Sequence, residues 1–430
     1  MENKDSINLF WFRRDLRLAD NVGLYHALNQ KLPVLPIFIF DRNILSDLED
    51  PYDRRVDYIH QAIVSMNEEL KTYNTSILTL YGNPLEELLK LKDQFNIHSI
   101  FCNEDFESYG INRDKEISEH FELNAYTDHV IFRFDEILKK DHTPYTVFTP
   151  YSKQWKAKLS AQKYEVLNPD LNGFYSFESK VIGLETIGFK KTDIVFEQPS
   201  IPLDSLDAYA DVRDIPSLDA TTKLSLPLRF GTISIRLCVK EAIENRLETW
   251  LNELIWRDFF IQILAHFPES STNAFKPKYD AIQWRNNVKE FELWCEGKTG
   301  YPIVDAGMRE LNATGFMHNR VRMIVASFLC KHLLIDWRWG ESYFASKLND
   351  YEMASNVGNW QWASSSGCDA TPYFRVFNPT LQQEKFDPQF LYIKRWIPNF
   401  NPSSYIQPIV PHDFARQRAI STYKEGINNF

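Results

Sequence analysis

The sequence predicts an α/β plus all-α architecture: a parallel α/β domain over residues 1–135, a connector over 136–205 and a helical domain over 206–430. Three observations carry this. In the first third, short apolar runs alternate with helical stretches, the pattern of a parallel sheet covered on both faces. Between about 140 and 205 the pattern dissolves into prolines and mixed charge. Beyond about 205, apolar residues recur at three- and four-residue spacing.

The elements follow in order. "INLFWF" (7–12), "PVLPIFIF" (33–40), "SILTLYG" (76–82), "IHSIFCN" (97–103) and "HVIFRF" (129–134) read as buried strands. Residues 52–71 and 83–95 between them read as helices, the second with Asn83 as cap and Pro84 in the first turn. No GxGxxG follows the first strand, so a dinucleotide fingerprint is absent. The connector contains "KKDHTPYTVFTPYSKQW" and "FEQPSIPLDS". Residues 248–267, 301–312 and 317–337 read as helices, with "NATGF" (312–316) as a break.

Composition narrows the function classes. The chain has 430 residues, 44% of them hydrophobic, enough for two or three cores. It opens "MENKDSINLFWFRRDLRL", charged from the start, with no secretory apolar region and no run of membrane-spanning length anywhere. A cytoplasmic protein with no membrane partner is expected. The five cysteines are scattered and none sits at CxxC spacing, and the ten histidines form no HxxxH pair. Neither a disulfide framework nor a metal site is signalled. A net charge of −10 argues against a general nucleic-acid binder, although a local basic face is compatible with it.

Several constellations mix polar and aromatic residues on one helical face. Trp250, Glu253, Trp256 and Arg257 fall at i, i+3, i+6 and i+7. They form either a binding face or an exposed Glu–Arg pair beside half-buried rings. Asn319, Arg322 and Met323 share a face, as a mixed pocket or as the basic edge of an amphipathic helix. Asp350 and Glu352, ahead of Asn356, are acceptors for hydroxyls, partners for a buried Arg, or a solvated acidic loop. Thr221, Thr222 and Ser225 suit a phosphate cradle or a capped helix start. In "NVGNWQWASSSG", Trp360 and Trp362 stand two apart, so on a helix they point in nearly opposite directions. One can face a core while the other faces a cavity.

The order of these signals is more specific than any one of them. "FWFRRDLRLADN", "VFTPYSKQW", "TTKLS", "WLNELIWRDFF", "EGKTGYPIVDAGMRELNATGFMHNRVRM", "DWRWGESYF" and "NWQWASSSGCDATPYFRVFNP" closely resemble the photolyase/cryptochrome flavoproteins. The likeness covers nearly the whole chain, is densest from about 209 to 400, and is closest to the class I cyclobutane pyrimidine dimer photolyases. It implies a Rossmann-like antenna domain, a long connector and a helical domain that binds FAD. The activity it implies is light-driven repair of ultraviolet-damaged DNA by a monomeric carbon–carbon lyase.

The resemblance also implies roles. Tyr209, Thr221, Thr222, Lys223, Leu224 and Ser225 match contacts to the flavin phosphates and ribityl chain, with Ala220-Thr221-Thr222 standing where glycine-threonine-serine is usual. Trp250, Glu253, Arg257 and Asn319 match residues around the flavin, and Glu352 is counted with them. Arg322 and Asp350 match an ion pair beside the ring system, and Asn356 the residue facing N5. Trp360 matches the inner member of an electron-transfer chain continued by Trp337 and Trp284. Trp256, Met323 and Trp362 match residues that hold the lesion, and Glu253 and Asn319 its hydrogen-bond partners. Arg257 and Arg320 are expected to meet phosphates. Asn319 stands where (6-4) photolyases typically carry histidine, and Asn356 where plant-type sensors usually carry an acid. The (6-4) activity, a cryptochrome-type blue-light photoreceptor and a flavoprotein without repair activity remain alternatives. A second, antenna chromophore, a folate, a deazaflavin or a flavin, is expected near "FCNEDFESYG" (101–110).

Overall fold

A computed structural model describes residues 6–162 and 165–429. The chain divides into two units, each assembled from separate stretches. The first comprises Met1–Ile137, Gln154–Ile201 and Lys223–Leu254; the second comprises Leu138–Lys153, Pro202–Thr222 and Ile255–Phe430. This differs from three consecutive segments with boundaries near 135 and 205. The connector is shared between the units, and residues 223–254 belong with the sheet. Buried charge explains the latter. Arg17 donates to Asp128 at 2.7 Å, and Arg236 to Asp128 at 2.7 Å and Asp20 at 3.1 Å. The Ser234 hydroxyl adds a bond to Asp20. Leu16 N donates to Phe230 O at 3.0 Å. At Gly231, with φ +65, a methyl would strike Arg14 O and lie 2.5 Å from Asp15 Cα, so only glycine allows this approach.

The first unit is built on five parallel strands, β1 (Ser6–Phe12), β2 (Val34–Asp41), β3 (Leu78–Gly82), β4 (Asn96–Asn103) and β5 (Leu123–Tyr126), in the order β3-β2-β1-β4-β5. Period-2 alternation divides β1 between two cores. Phe10 and Phe12 join Leu24, Ala62 and Ile63 on one face; Ile7, Leu9 and Trp11 join Leu88 and Leu91 on the other. The flanking helix Arg54–Leu70 is capped by Asp53, whose carboxylate accepts from Arg55 N. Helix Pro84–Gln94 is capped by Asn83, as its sequence anticipates.

The fifth strand is a correction. It is Leu123–Tyr126, paired with Ile100–Asn103, and not 129–134. "HVIFRF" is apolar because Val130 and Phe132 are buried, but its backbone joins no ladder. The helix Phe148–Ala161 inside the connector is also unanticipated.

In the second unit the long apolar run 317–337 is not one helix. His318 caps an α-helix, Asn319–Ser327, which passes into a π-helix, Phe328–Leu333, and stops at Leu334 with φ +51. The wider turn carries two consecutive polar residues into the core. Lys331 is fully buried, donates to Ser365 Oγ at 2.8 Å and lies 3.7 Å over the Tyr423 ring. His332 Nε2 shares a hydrogen bond with His412 Nδ1 at 2.9 Å. Burial pulls the Lys331 ammonium down to about 7. Helices Trp337–Lys347 and Met353–Ser364 follow and pack on one another. Among the described residues, no helix is long and apolar enough to cross a membrane, and no His/Cys/Asp/Glu group is placed to hold a metal ion.

Candidate functional site

The second unit contains a cavity with about 620 Å³ of non-protein space, including its open mouth. Its walls come from three helices. Asn319–Ser327 contributes Asn319, Arg322 and Met323, the shared face that the i, i+3, i+4 spacing anticipates. Met353–Ser364 contributes Asn356, Trp360 and Trp362, and Trp337–Lys347 contributes Phe344. Asp350 and Glu352 lie on the short link between the last two helices.

Local chemistry fixes these groups. His318, capping its helix, accepts from Arg320 N through Nδ1, and burial holds its imidazole down near 4, so it is neutral. Arg322 is held from two sides: Nε donates to Met317 O at 2.7 Å and Nη2 to Asp350 Oδ2 at 2.9 Å. The Asp350 side chain is 5% exposed, and its Oδ1 is buried with no hydrogen-bond partner among the described residues. Asn356 Nδ2 donates to Glu341 O at 3.1 Å and Glu341 Oε1 at 2.9 Å. Both amide protons are thereby used, and Oδ1 is the acceptor Asn356 retains. Burial raises the Glu341 carboxyl above its ordinary range. Glu341 carries no signal in sequence, because only folding brings it to the Asn356 amide.

The two tryptophans of "NWQW" differ in burial but line one cavity. Trp360 is 2% exposed and sits in the apolar core; Trp362 is half-buried against it, and both reach the cavity wall. The Trp360 ring meets Phe344 edge-on at 5.0 Å and Trp294 at 6.1 Å. Trp294 is fully buried and donates to Val325 O, a neighbour that nothing in the sequence singles out. Trp337 lies in the same apolar cluster and Trp284 packs against it, its ring perpendicular to Tyr423 with centroids 5.7 Å apart.

Other expected residues fall elsewhere. Trp250, which is buried, and Glu253 lie in the part of helix Glu248–His266 that belongs to the first unit. Lys223, Leu224 and Ser225 belong to that unit too, whereas Tyr209, Thr221 and Thr222 belong to the second. Trp256 stacks flat on Phe148, with centroids 3.7 Å apart and planes 3° from parallel. Phe148 N in turn donates to Asp369 at 3.1 Å. Arg257 is half-buried and faces Glu352 at 3.4 Å, and Arg320 pairs with Asp214 at 2.7 Å. The geometry places an internal carboxylate against Arg257. Asp214, like Phe148, escaped the sequence reading.

A cavity of this kind suits a planar heteroaromatic group. Trp360, Met323 and Phe344 supply apolar surface, while Asp350 Oδ1 and Asn356 Oδ1 supply acceptors for ring N–H groups.

Comparison with known proteins agrees. Residues 250–404 match the FAD binding domain of DNA photolyase, and residues 8–169 match the DNA photolyase family. The deoxyribodipyrimidine photo-lyase of Alkalihalophilus pseudofirmus is 35% identical, covering 99% of this chain and 99% of its own length. The crystal structure of a bacterial class III photolyase from Agrobacterium tumefaciens superposes with a TM-score of 0.85 at 30% identity, covering 100% and 99% of the two chains. That of an archaeal photolyase from Sulfolobus tokodaii, which holds two FAD molecules, gives 0.83 at 33% identity, covering 98% and 100%.

Proposed function

This chain belongs to the DNA photolyase family, and we propose that it repairs cyclobutane pyrimidine dimers in ultraviolet-damaged DNA under blue light, as a cytoplasmic monomer. The observation that carries this reading is the cavity, where Asn319, Arg322, Met323, Asp350, Asn356, Trp360 and Trp362 line one space. Asn319 is the decisive member, because its amide offers both a donor and an acceptor to a pyrimidine carbonyl and imide without titrating near neutrality.

Reduced FAD, when bound, supplies the photoexcited electron that splits the dimer. The protein does the rest. Arg322, Asp350 and Asn356 hold the cofactor's polar edge, with Glu352 and Arg257 as an ion pair behind them. Tyr209, Thr221, Thr222, Lys223, Leu224 and Ser225 hold its phosphates and ribityl chain, and Trp250 its surroundings. A dimer flipped out of the duplex, which costs less at a damaged step, stacks on Trp362 and Trp256, with Met323 beside it. Glu253 and Asn319 direct dipoles at the carbonyls where charge develops. Trp360, Trp337 and Trp284 would form the path by which electrons from an external reductant reach the cofactor's site.

A second chromophore belongs to the proposal as well. The fold offers it the crevice at the carboxyl ends of β1 and β4, where the strand order reverses. Arg13 and Arg113 cover Trp11 there at 5.0 and 4.8 Å, and both contact Asp114. A chromophore stacking on that indole has to displace them. The test of the whole reading is an absorption spectrum of the purified protein followed by repair of ultraviolet-irradiated DNA in light and in dark. A flavin spectrum with repair only in light is expected; light-independent or absent repair refutes it.

A further inference from the structure

Gly340 lies on helix Trp337–Lys347, one turn beyond Trp337, and is buried. A methyl built there would fall within the van der Waals surface of Trp360 Cη2 and Cζ3, and 2.6 Å from Leu329 Cδ2. Glycine is a poor helix former, costing about 1 kcal/mol against alanine at an open position. Something in the fold therefore offsets that cost. The next residue, Glu341, holds the amide of Asn356, one turn before Trp360 on the facing helix. Phe344, one turn after Gly340, meets the Trp360 ring edge-on at 5.0 Å. The six-membered end of the indole thus lies in a notch floored by Gly340 and walled by Phe344 and Trp294.

We propose that Gly340 is a positioning residue for light-driven reduction of the cofactor: its missing side chain seats the Trp360 ring at once against the cavity wall and against the helix that begins with Trp337. This rests on the assignment of Trp360 as inner electron donor. One electron passes from the Trp360 indole to the light-excited cofactor and is replaced through Trp337 and Trp284 from an added thiol, which releases its proton to water and is oxidised to its disulfide. A displaced ring lengthens a tunnelling step without touching the lesion-holding residues. A buried indole boxed by two aromatic neighbours, Phe344 and Trp294, and by Leu329 cannot step aside without moving them, because cores of this density are already filled.

The test is a double-mutant cycle between Gly340→Ala and Trp360→Phe. Phenylalanine lacks the Cη2 and Cζ3 atoms that the new methyl meets. Gly340→Ala is expected to lower the thermal midpoint in the wild-type background and to lower it much less, or raise it, alongside Trp360→Phe. It is also expected to slow blue-light reduction of the bound flavin severalfold, while repair per bound flavin by protein reduced beforehand with dithionite stays at the wild-type level. If Gly340→Ala alone does not fold, the double variant must. Equal loss of midpoint in both backgrounds, failure of the double variant to fold, or wild-type photoreduction in Gly340→Ala overturns the proposal. Undiminished photoreduction in Trp360→Phe alone would instead strike the assignment of Trp360, and the stability cycle would still report on the notch.

Discussion

Removing the Asp350 carboxylate tests how the cavity floor is held. Asp350 Oδ2 receives Arg322 Nη2 at 2.9 Å, and the two side chains are 5% and 26% exposed. Breaking a fully buried pair costs about 3–5 kcal/mol, because the surviving charge is left unpaired. Arg322 escapes part of this penalty: a quarter of it is solvated, and Nε keeps its bond to Met317 O at 2.7 Å. Asp350→Ala should therefore destabilise the flavin-free protein by about 2–3 kcal/mol, or roughly 30- to 150-fold in the unfolding constant. Asp350→Asn keeps one acceptor and the shape, and should cost about 1 kcal/mol. The flavin-bound protein should lose more than the flavin-free protein, because Asp350 Oδ1 has no partner among the described residues and weakened binding removes ligand stabilisation. Urea unfolding of both forms, with bound flavin measured by absorbance, reads these terms separately. An unchanged midpoint in flavin-free Asp350→Ala would show the ion pair to be worth nothing, and wild-type flavin retention would show that Asp350 does not face the cofactor.

Lys331 makes stability rise with pH. The unfolded chain keeps this proton to about 10.5 while the folded chain releases it near 7, so between these values the unfolded state binds more protons. The gain is at most about 1.4 kcal/mol per pH unit and is reduced by the contact with Tyr423, which favours the charged form. Urea midpoints at pH 6, 7.5 and 9 should rise in wild type relative to Lys331→Met; parallel curves refute the reasoning. Glu253→Ala and Asn319→His should each lower repair per bound flavin by about 2–4 kcal/mol of activation free energy, the range seen on removing a donor from developing charge, with flavin content largely kept. Unchanged repair in either variant removes that residue from the mechanism. Despite a net charge of −10, affinity for dimer-containing DNA should fall steeply with salt, because phosphate contacts release counterions; a flat salt titration argues against a basic face.

Sequence reading reached the parts of this fold that rest on local pattern. β1, β2 and the second half of β4 are buried on both faces, so each reads as a continuous apolar run. β5 is four residues at a sheet edge, none of them buried, too short to read as an apolar run, whereas Val130 and Phe132 mimic a strand while only filling space. The π-helix was hidden for a related reason: apolar spacing continues through 317–337, and the inward turn of Lys331 and His332 depends on Ser365, Tyr423 and His412, far along the chain. At the cavity the same rule holds. Asn319, Arg322 and Met323 share a face by spacing alone, but Glu341 under Asn356, Phe148 on Trp256 and Asp214 on Arg320 are long-range meetings with no local trace.

The cluster of Asp20, Asp128, Arg17 and Arg236 bears on how the chain is made. Synthesis delivers Asp20, Asp128 and Arg17 early, but Arg236 arrives 108 residues after Asp128. At 5–20 residues per second that is a wait of about 5–20 s. Through it, two carboxylates destined for burial have a single guanidinium between them. The nascent sheet therefore cannot close its polar seam on the ribosome until the stretch that carries Ser234 and Arg236 has emerged. A gene cut anywhere between the sheet and residue 236 would yield an N-terminal fragment with its strands complete and its carboxylates half-answered, prone to cling to chaperones instead of standing alone.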